Sequence, residues 1–573
     1  MLNESLLRTV IAATLLASVA APAFAQSDEA RGVEEVRNTV INLLEALVQK
    51  GLLTREQAQT MVADAQGKAD ASAKARADQD AAEKDAVRVT YVPQIVKDEI
   101  SKQVSEQLKP EVTQDVIAQA KVQKWGVPGA LPDWVSRFKF SGDVRVRTQN
   151  DVFADDNVQN SYLNYQAINA AGGATAAGRN GFLNLTEDRL RERLRARFGV
   201  EAQLTDGVSA GIRIATGSLD DPVSPNQTLG NSLRRFQFAV DQAYLRYDAN
   251  AHSSLPWMTV AAGRLPNPWV STDLVFDPDL QFDGLASTWR VGFGGAGSTP
   301  PHVFLTVGAF PLQEIELSSQ DKWLYGGQLG LSLPWAEGAR LSLAGAYYYY
   351  DNIVGQRNPI PGDTTLDYTA PQWLQKGNTL FPIAVNSNNE VRLYGLAADY
   401  HLLDVTASLE LPVFDHALTL TADYVTNLGY DQAAVLRRAG FASLNDVPTP
   451  EGKLAFDKMV DGYQGEVAFG SRITGGRNSW RVALSYRYLE RDAVLDGFTD
   501  SDFHLGGTGA EGYQIRAEWW FLNRNWLTLR YITADEISHT GTPFKDASGT
   551  TILPSDTPRF GVDTLMLDIN GQF

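Results

Sequence analysis

The sequence contains no cysteine and, beyond its first 25 residues, no apolar run long enough to form a membrane-spanning helix. The missing cysteines exclude disulfides, thiolate metal sites and cysteine nucleophiles. A helix needs about 20 consecutive apolar residues to cross a bilayer. Any membrane-spanning segment must therefore be a strand, and a closed barrel needs no disulfides because its backbone groups pair within the wall.

Positive charge is also scarce. The chain has 50 Lys and Arg against 68 Asp and Glu, a formal net charge of −18. From Ser136 onward there are 35 basic and 49 acidic residues, and only six of the basic residues are lysines. Such an acidic chain argues against nucleic acid as a partner. Arginine, which stays charged and offers planar donors, is the cation preferred where side chains face an interior.

The N-terminus has the form of a secretory signal. Arg8 precedes an apolar stretch from Val10 to Val19, and Ala23-Phe24-Ala25 forms an A-x-A cleavage pattern before Gln26. A retained anchor helix is the alternative, but the stretch is short for a bilayer. We therefore expect residues 1–25 to be a signal peptide and the mature protein to be exported.

Residues 26–125 have a helical period. Val33, Val36, Val40 and Leu43 fall on one apolar stripe, and Thr54 to Gln57 has the form of a capping box. So narrow a stripe must pack on something, and both a coiled coil and docking beneath the rest of the protein remain open. The sequence predicts a helical region here, followed by a Gly- and Pro-containing linker at 126–135.

After the linker the period becomes two, most clearly in the run DRLRERLRARFGVEA. As a strand, this run places the guanidinium groups of alternate residues on one face over roughly 26 Å, with a mostly apolar face opposite. Leu190, Leu194 and Phe198 also suit an amphipathic helix. The turn Thr205-Asp206-Gly207 and the second alternating segment that follows it favour the strand. The five alternate arginines are Arg189, Arg191, Arg193, Arg195 and Arg197.

Turn chemistry predicts sixteen strands. Seven short connections alternate with eight longer polar ones, so both chain ends lie on the short-turn side. We therefore expect residues 136–573 to form an all-β, 16-stranded antiparallel transmembrane barrel whose short turns face the periplasm. The short connections are Thr205 to Gly207, Ala249 to Pro256, Gly294 to Pro301, Pro334 to Gly338, Pro412 to His416, Thr474 to Asn478, and Asn523 to Asn525.

The last strand carries an assembly motif. Leu565, Leu567, Ile569 and Phe573 share one face of a strand that ends the chain. A terminal aromatic residue in such a strand resembles the assembly signal of bacterial outer-membrane proteins. This implies the barrel-assembly machinery and outer-membrane lipid as partners.

Several segments resemble the putative porin family of Gram-negative outer membranes. The resemblance covers most of the chain from about Val89 to the terminus, and it implies a trimeric diffusion channel without a particular solute. The segments are VTYVPQIVKDEI, GVPGALPDWVSRFKFSGDVRVR, EDRLRERLRARFG, FAVDQAYLRY and FDPDLQFDGLA.

In sixteen-stranded porins the third long loop folds into the lumen. Here that connection, Pro266 to Gly284, carries four aspartates and no basic residue. We expect it to face an arginine wall and create a transverse field; solvated aspartates or a cation site between loops are the alternative. The predicted constriction residues are Asp273, Asp277, Asp279 and Asp283, and the predicted pore-lining residues are Arg145, Arg147, Arg189, Arg191, Arg193, Arg195, Arg197 and Arg213.

Signatures of catalysis are missing. The six histidines are scattered, there is no HExxH or GxSxG motif, and GFGGAGS at Gly292 is followed by no P-loop lysine. We predict no enzyme activity, no cofactor and no metal site, with an outer-membrane hydrolase as the least favoured reading.

The predicted function is passive diffusion of small hydrophilic solutes, with weak anion preference or near-neutral selectivity. A channel preferring phosphate-like anions is one alternative. Another is a tethering barrel whose periplasmic helical region binds peptidoglycan.

Overall fold

A computed structural model describes residues 135–293, 300–537, 543–545, 549–552 and 560–573. The predicted signal peptide, the helical region and almost all of the linker lie outside these residues. Sixteen long strands form the wall. They are β1 Phe138–Phe153, β2 Arg189–Thr205, β3 Val208–Thr216, β4 Phe238–Ala249, β5 Met258–Pro266, β6 Gln281–Gly292, β7 His302–Gln313, β8 Lys322–Ala336, β9 Ala339–Asp351, β10 His401–Val413, β11 His416–Asn427, β12 Asp461–Ser471, β13 Trp480–Leu489, β14 Ala510–Leu522, β15 Asn525–Glu536 and β16 Gly561–Gln572.

Each strand pairs antiparallel with the next, and β1 pairs with both β2 and β16. The ring is therefore closed, and the predicted 16-stranded antiparallel barrel is confirmed. Closure continues to the last residue, because Phe573 and Gly142 exchange backbone hydrogen bonds of 3.0 and 3.2 Å. The short strand Gln227–Thr228 adds to β2 beyond the end of β3.

The connections alternate as the turn chemistry predicts. The strand order puts each of the seven predicted short connections between two consecutive strands. The start of β1 and the end of β16 lie beside short turns, because Phe138 pairs with Ala202 and Gly571 pairs with Asn525. The long connections are called L1 to L8 below. L4 differs from the prediction, because it is no longer than the turn at 250–257 and closes β7 and β8 as a compact hairpin. The loops are L1 154–188, L2 217–237, L3 267–280, L4 314–321, L5 352–400, L6 428–460, L7 490–509 and L8 537–560.

The wall shows the alternation expected of strands. On β1 and β2 the exposed apolar side chains include Phe140, Val144, Leu190 and Phe198, all at even-numbered positions. The odd-numbered positions carry the arginines, which settles the run from Arg189 as a strand rather than a helix.

The long loops contain short helices, 3-10 turns and two short hairpins. In L1, the Asn164 side chain accepts the N–H of Ala167 at the start of the first helix, and Gly172 ends that helix at φ 75°. Within the described ranges, no helix is both long and apolar enough to span a bilayer. The helices are α1 Tyr165–Ala171, α2 Ala174–Ala177, α3 Gln432–Ala439 and α4 Pro450–Leu454; the remaining strands are Leu380–Val385 with Val391–Leu396 and Phe544–Lys545 with Thr551–Ile552; the 3-10 turns are Val135–Arg137, Gly178–Gly181, Asp367–Thr369, Leu444–Asp446, Asp496–Phe498 and Phe503–Leu505.

The main apolar core lies inside the barrel. It joins Phe276 of L3, Tyr348 of β9, Phe381 of L5 and Val494 of L7, all of them buried. Tyr347, the neighbour of Tyr348, faces outward and is exposed. Since inward wall residues and loop residues share one core, L3, L5 and L7 fold into the lumen.

Candidate functional site

L3 is anchored to the inner wall at its start. The Trp269 ring lies edge-on to the rings of Phe310 on β7 and Tyr348 on β9, with centroid distances of 6.1 and 5.3 Å. The Val270 N–H donates to Gln328 Oε1 at 2.9 Å, and the Val270 carbonyl accepts from Gln328 Nε2 at 2.8 Å. A local hydrogen-bond pair and three aromatic rings thus fix where the loop leaves the wall.

The next residues cross to the far side of the barrel. The Thr272 hydroxyl donates to Asp423 on β11. Asp273 forms an ion pair of 2.8 Å with Arg487 on β13 and accepts the Gln464 amide at 2.7 Å. Burial alone would raise the pKa of Asp273, but Arg487 and Gln464 hold it below its ordinary value. L3 therefore spans the lumen from β5 to β13.

Asp277 ties L3 to L7. Its carboxylate accepts the Ser501 N–H at 3.0 Å and the Asp279 N–H at 2.7 Å, and its own N–H donates to the Phe498 carbonyl at 2.8 Å. Burial and the neighbouring carboxylate of Asp500 raise the pKa of Asp277 well above its ordinary range. Asp277 is therefore a structural link between two inward loops.

Asp279 is the residue of L3 that reaches the arginine ladder, the name used here for the alternate arginines of β2, Arg189 to Arg197, together with Arg213 of β3. Its carboxylate lies 2.8 Å from Arg197 Nη1 and 3.3 Å from Arg195 Nη1. Asp143 on β1 binds the same two arginines at 2.7 and 2.9 Å. One loop carboxylate and one wall carboxylate thus share two guanidinium groups.

Asp283 does not belong to the loop. It lies within β6, opposite Arg264 of β5, with an ion pair of 3.0 Å and a side chain 55% exposed. The sequence interpretation extended L3 too far because β6 already begins at Gln281. The acidic loop therefore contributes Asp273, Asp277 and Asp279 only.

The other ladder arginines have different environments. Arg191 pairs with Asp151, and Arg213 on β3 pairs with Asp241 at 2.5 Å. Among the described residues Arg193 donates to the neutral Gln149 and Ser224 and forms no ion pair. Arg189 is exposed at the loop end of β2.

Arg147 on β1 is fully buried. Its Nε lies 2.7 Å from Asp568 on β16, and its Nη1 lies 2.8 Å from Asp502 in L7. Asp502 also binds Arg530 of β15 at 2.9 Å. Burial opposes ionisation of Asp502, yet Arg147 and Arg530 hold its pKa far below the ordinary value. Arg147 thus locks L7 to the closing strands of the barrel.

L7 is the functional element that the sequence reasoning missed. Its residues are almost all buried, and L5 holds it in place. Lys376 of L5 donates to the Gly506 carbonyl at 2.6 Å and lies 2.8 Å from His504 Nδ1. Burial lowers the pKa of Lys376 to about 7. The available signal was the mixture of four aspartates with apolar residues such as Val494 and Leu495, which is unusual for a solvated loop.

Two adjoining cavities lie among these loops, and their charges differ. The larger, of about 850 Å³, is lined by Asp220, Asp241, Asp279 and Asp496 together with two basic residues. The smaller, of about 380 Å³, is lined by Arg189, Arg191 and Arg193. Asp221, Ser224, Trp373 and Leu374 border both. Among the described residues, no group of three or more acidic or histidine side chains is placed to hold a metal ion.

Comparison with known proteins places this geometry in a family. The model of the family described as "putative porin" matches residues 37–573. Similar solved structures are OprB of Pseudomonas putida (12% identity, TM-score 0.41, covering 78% of this chain and 97% of that one), OmpF of Salmonella typhi (10%, 0.36, 76% and 97%) and the outer membrane channel DcaP of Acinetobacter baumannii (11%, 0.34, 76% and 96%). No curated protein sequence matches the chain.

The family match covers nearly the whole chain and agrees with the resemblance drawn from its sequence segments. Porins are channels rather than enzymes. The protein belongs to the putative porin family.

Proposed function

We propose that the protein is a passive diffusion channel of the outer membrane for small hydrophilic solutes. Membership of the porin family, the closed barrel and the inward course of L3 support this proposal. The observation that carries it is the contact of Asp279 with Arg195 and Arg197. This contact brings the acidic loop directly against the basic wall inside the lumen.

Opposed charges across a narrow passage orient dipolar solutes and disfavour apolar ones. The effect is strong because the surrounding apolar core lowers the local dielectric constant. We propose that Asp273, Asp277 and Asp279 form the constriction loop, in which Asp279 meets the arginines while Asp273 and Asp277 hold the loop in place. The proposed lining of the wall is Arg189, Arg191, Arg193, Arg195, Arg197 and Arg213, with Arg145 and Arg147 supporting it from β1.

Selectivity measurement tests this assignment. The net acidity of the chain favours cations, but exposed loop charges are screened over about 8 Å at physiological ionic strength, whereas wall charges act at close range. We expect weak anion preference or near-neutral reversal potentials in a salt gradient. Replacing Arg191, Arg193 and Arg195 by Gln should shift the reversal potential towards cation selectivity. Strong cation selectivity in the native protein, unchanged in the triple variant, would exclude a conducting arginine wall.

We further propose that the protein forms a homotrimer through the outer face of β1 and β2. On that face the Thr148 hydroxyl donates to the Glu192 carboxylate at 2.8 Å, between lipid-type side chains such as Val146 and Leu190. A carboxylate is unfavourable against lipid and favours a protein neighbour. The mass of the detergent-solubilised protein should equal three chains, and the substitution Glu192→Arg should yield single chains. A monomeric native protein would contradict this proposal.

A further inference from the structure

We propose that the lumen holds a binding site for a small oxyanion, a phosphate or a carboxylate, at Arg193 beside Arg145. The inference rests on the proposed channel function and names the class of solute that would pause in the channel. It follows from an imbalance of charge among four neighbouring arginines.

The four arginines form two cross-strand pairs on β1 and β2. Arg145 faces Arg195, and Arg147 faces Arg193. Arg147 has two carboxylate partners, Asp502 and Asp568, and Arg195 also has two, as described above. Two of the four arginines therefore have direct counter-charges.

The other two arginines have only neutral partners in the described part of the chain. Arg145 Nη2 donates to Asn226 Oδ1 at 2.6 Å. Arg193 donates to Gln149 Oε1 at 3.2 Å and to the Ser224 hydroxyl at 3.4 Å. Asn226 and Ser224 belong to L2 and are themselves joined by a hydrogen bond of 3.2 Å. L2 thus bridges two cations without supplying a negative charge.

Burial leaves some of the donors of these two arginines without partners. Arg145 is only 9% exposed, and the Nε atoms of both Arg145 and Arg193 are buried without a hydrogen-bond partner. Amide and hydroxyl oxygens carry no net charge, so among the described residues Arg145 and Arg193 are balanced only by carboxylates that do not contact them, such as Asp502. A buried charge is most favourable when its partner contacts and hydrogen-bonds it, and a diffusible anion would supply such a direct counter-charge.

The small cavity gives such an anion access to Arg193. Two carboxylates also border this cavity, but both are already engaged. Asp151 binds Arg191, and Asp221 accepts the N–H groups of Val223 and Ser224, each at 3.0 Å. Arg189, which has no ion pair with any other described residue, adds a further cation at the loop end of the same cavity. Guanidinium groups favour oxyanions because their planar donors match two oxygen atoms at once.

Calorimetric titration of the detergent-solubilised full chain tests the site directly. One arm uses inorganic phosphate and the other malonate, so the two sources of oxyanion are distinguished. We expect at least one of them to bind, and Arg193→Gln to weaken that binding at least tenfold. The matched control is Arg392→Gln, which removes one positive charge from L5, where Arg392 pairs with Asp367 at 2.8 Å. The control should bind like the native protein.

A heat-modifiable native fold in Arg193→Gln, or in Arg193→Lys if Gln prevents folding, is required for the comparison. Absence of binding in both arms, or equal binding by the native protein and the folded Arg193 variant, overturns the site. Single-channel conductance in potassium chloride is measured separately. Conduction without binding of either anion would contradict only the anion site. Binding without conduction would contradict the proposed diffusion channel.

Discussion

Arg147 shows what a charged residue requires inside this barrel. Its side chain is completely buried and is flanked by two carboxylates, one from L7 and one from the last strand. Removing one member of a buried ion pair is costly because the other charge remains buried. The charges of the lumen are therefore structural as well as functional.

The substitution Asp502→Asn tests this at the level of one residue. It leaves Arg530 without a described partner and Arg147 with Asp568 alone. We expect a loss of about 3 kcal/mol of stability, the low end of the range for a broken buried pair. The midpoint temperature of the shift in electrophoretic mobility on heating should fall accordingly. The control Asp283→Asn breaks an exposed pair and should change stability by less than about 1 kcal/mol. Equal midpoints for the two variants would contradict the structural role of Asp502.

Sequence reasoning identified the arginine ladder but not the partner of each arginine. Alternation within one strand predicts a shared face, because it depends only on local geometry. The Asp279 contact could be anticipated in outline from the position of L3. The partners of Arg147, in contrast, lie 355 and 421 residues away, so no local pattern could indicate them.

L3 and L7 both fold inward because both place apolar side chains in the core inside the barrel. Only the inward course of L3 could be predicted from the sequence. The course of L3 followed from strand order and family resemblance. L7 has the turn-rich composition of an external loop, and its burial depends on L5, which supplies Lys376, Asn378 and Thr379 as partners. Counting strands locates a loop in the sequence, but it does not determine whether the loop folds into the lumen or stays outside the barrel.

The attachment of L7 should depend on pH through Asp496. Burial raises the pKa of this carboxyl from its ordinary 3.8 to about 7, while Lys376 opposes the shift. A raised carboxyl pKa contributes stability that is fully present below the ordinary pKa of 3.8 and is lost as pH rises through the folded pKa of about 7. Since one pKa unit is about 1.4 kcal/mol, the full effect is up to about 4 kcal/mol. Burial lowers the pKa of Lys376 from 10.5 to about 7, so Lys376 acts in the opposite sense, mainly above pH 7.

Hydrogen exchange of the L7 amides measures this dependence. Protection should decrease between pH 5 and pH 7, after correction for the intrinsic exchange rate. In Asp496→Asn the decrease should be smaller, and the part that remains belongs to Asp500 of L7, whose pKa burial raises to about 6. The exposed Asp363 of L5 offers a matched control, because Asp363→Asn should retain the native profile. A native profile that is flat over this range would rule out ionisation of Asp496 as the cause.

The barrel as a whole was predictable because every strand follows the same sequence pattern. Period-two alternation and turn residues recur along more than 400 residues, so errors in single strands do not alter the count. The limits of that pattern appear at L4, where a short hairpin stands in place of a long loop. The predicted helical region at 26–125 and its periplasmic position stay predictions.

Deletion of Phe573 should impair assembly and leave conduction per channel unchanged. The residue pairs with Gly142 across the closing seam, and its ring is exposed on the outer face at the chain end. Folded barrels in the membrane fraction should decrease, while those that form show the native single-channel conductance. Gln572, the preceding residue, provides the comparison as Gln572→Ala. A normal amount of folded barrel in the membrane fraction of the deletion variant would show that Phe573 is not needed for assembly.

The seam between β1 and β16 also imposes an order of events. Arg147 lies in the first strand to be synthesised, whereas Asp502 and Asp568 lie within the last two loops and strands of the chain. Asp568 stands opposite Arg147 only when β16 pairs with β1, and a buried charge without its partner is strongly unfavourable. Closing the ring and pairing Arg147 with Asp568 are therefore one step. A barrel whose ring is still open has a positive charge at Arg147 that is not paired with Asp568, which a closed barrel does not have.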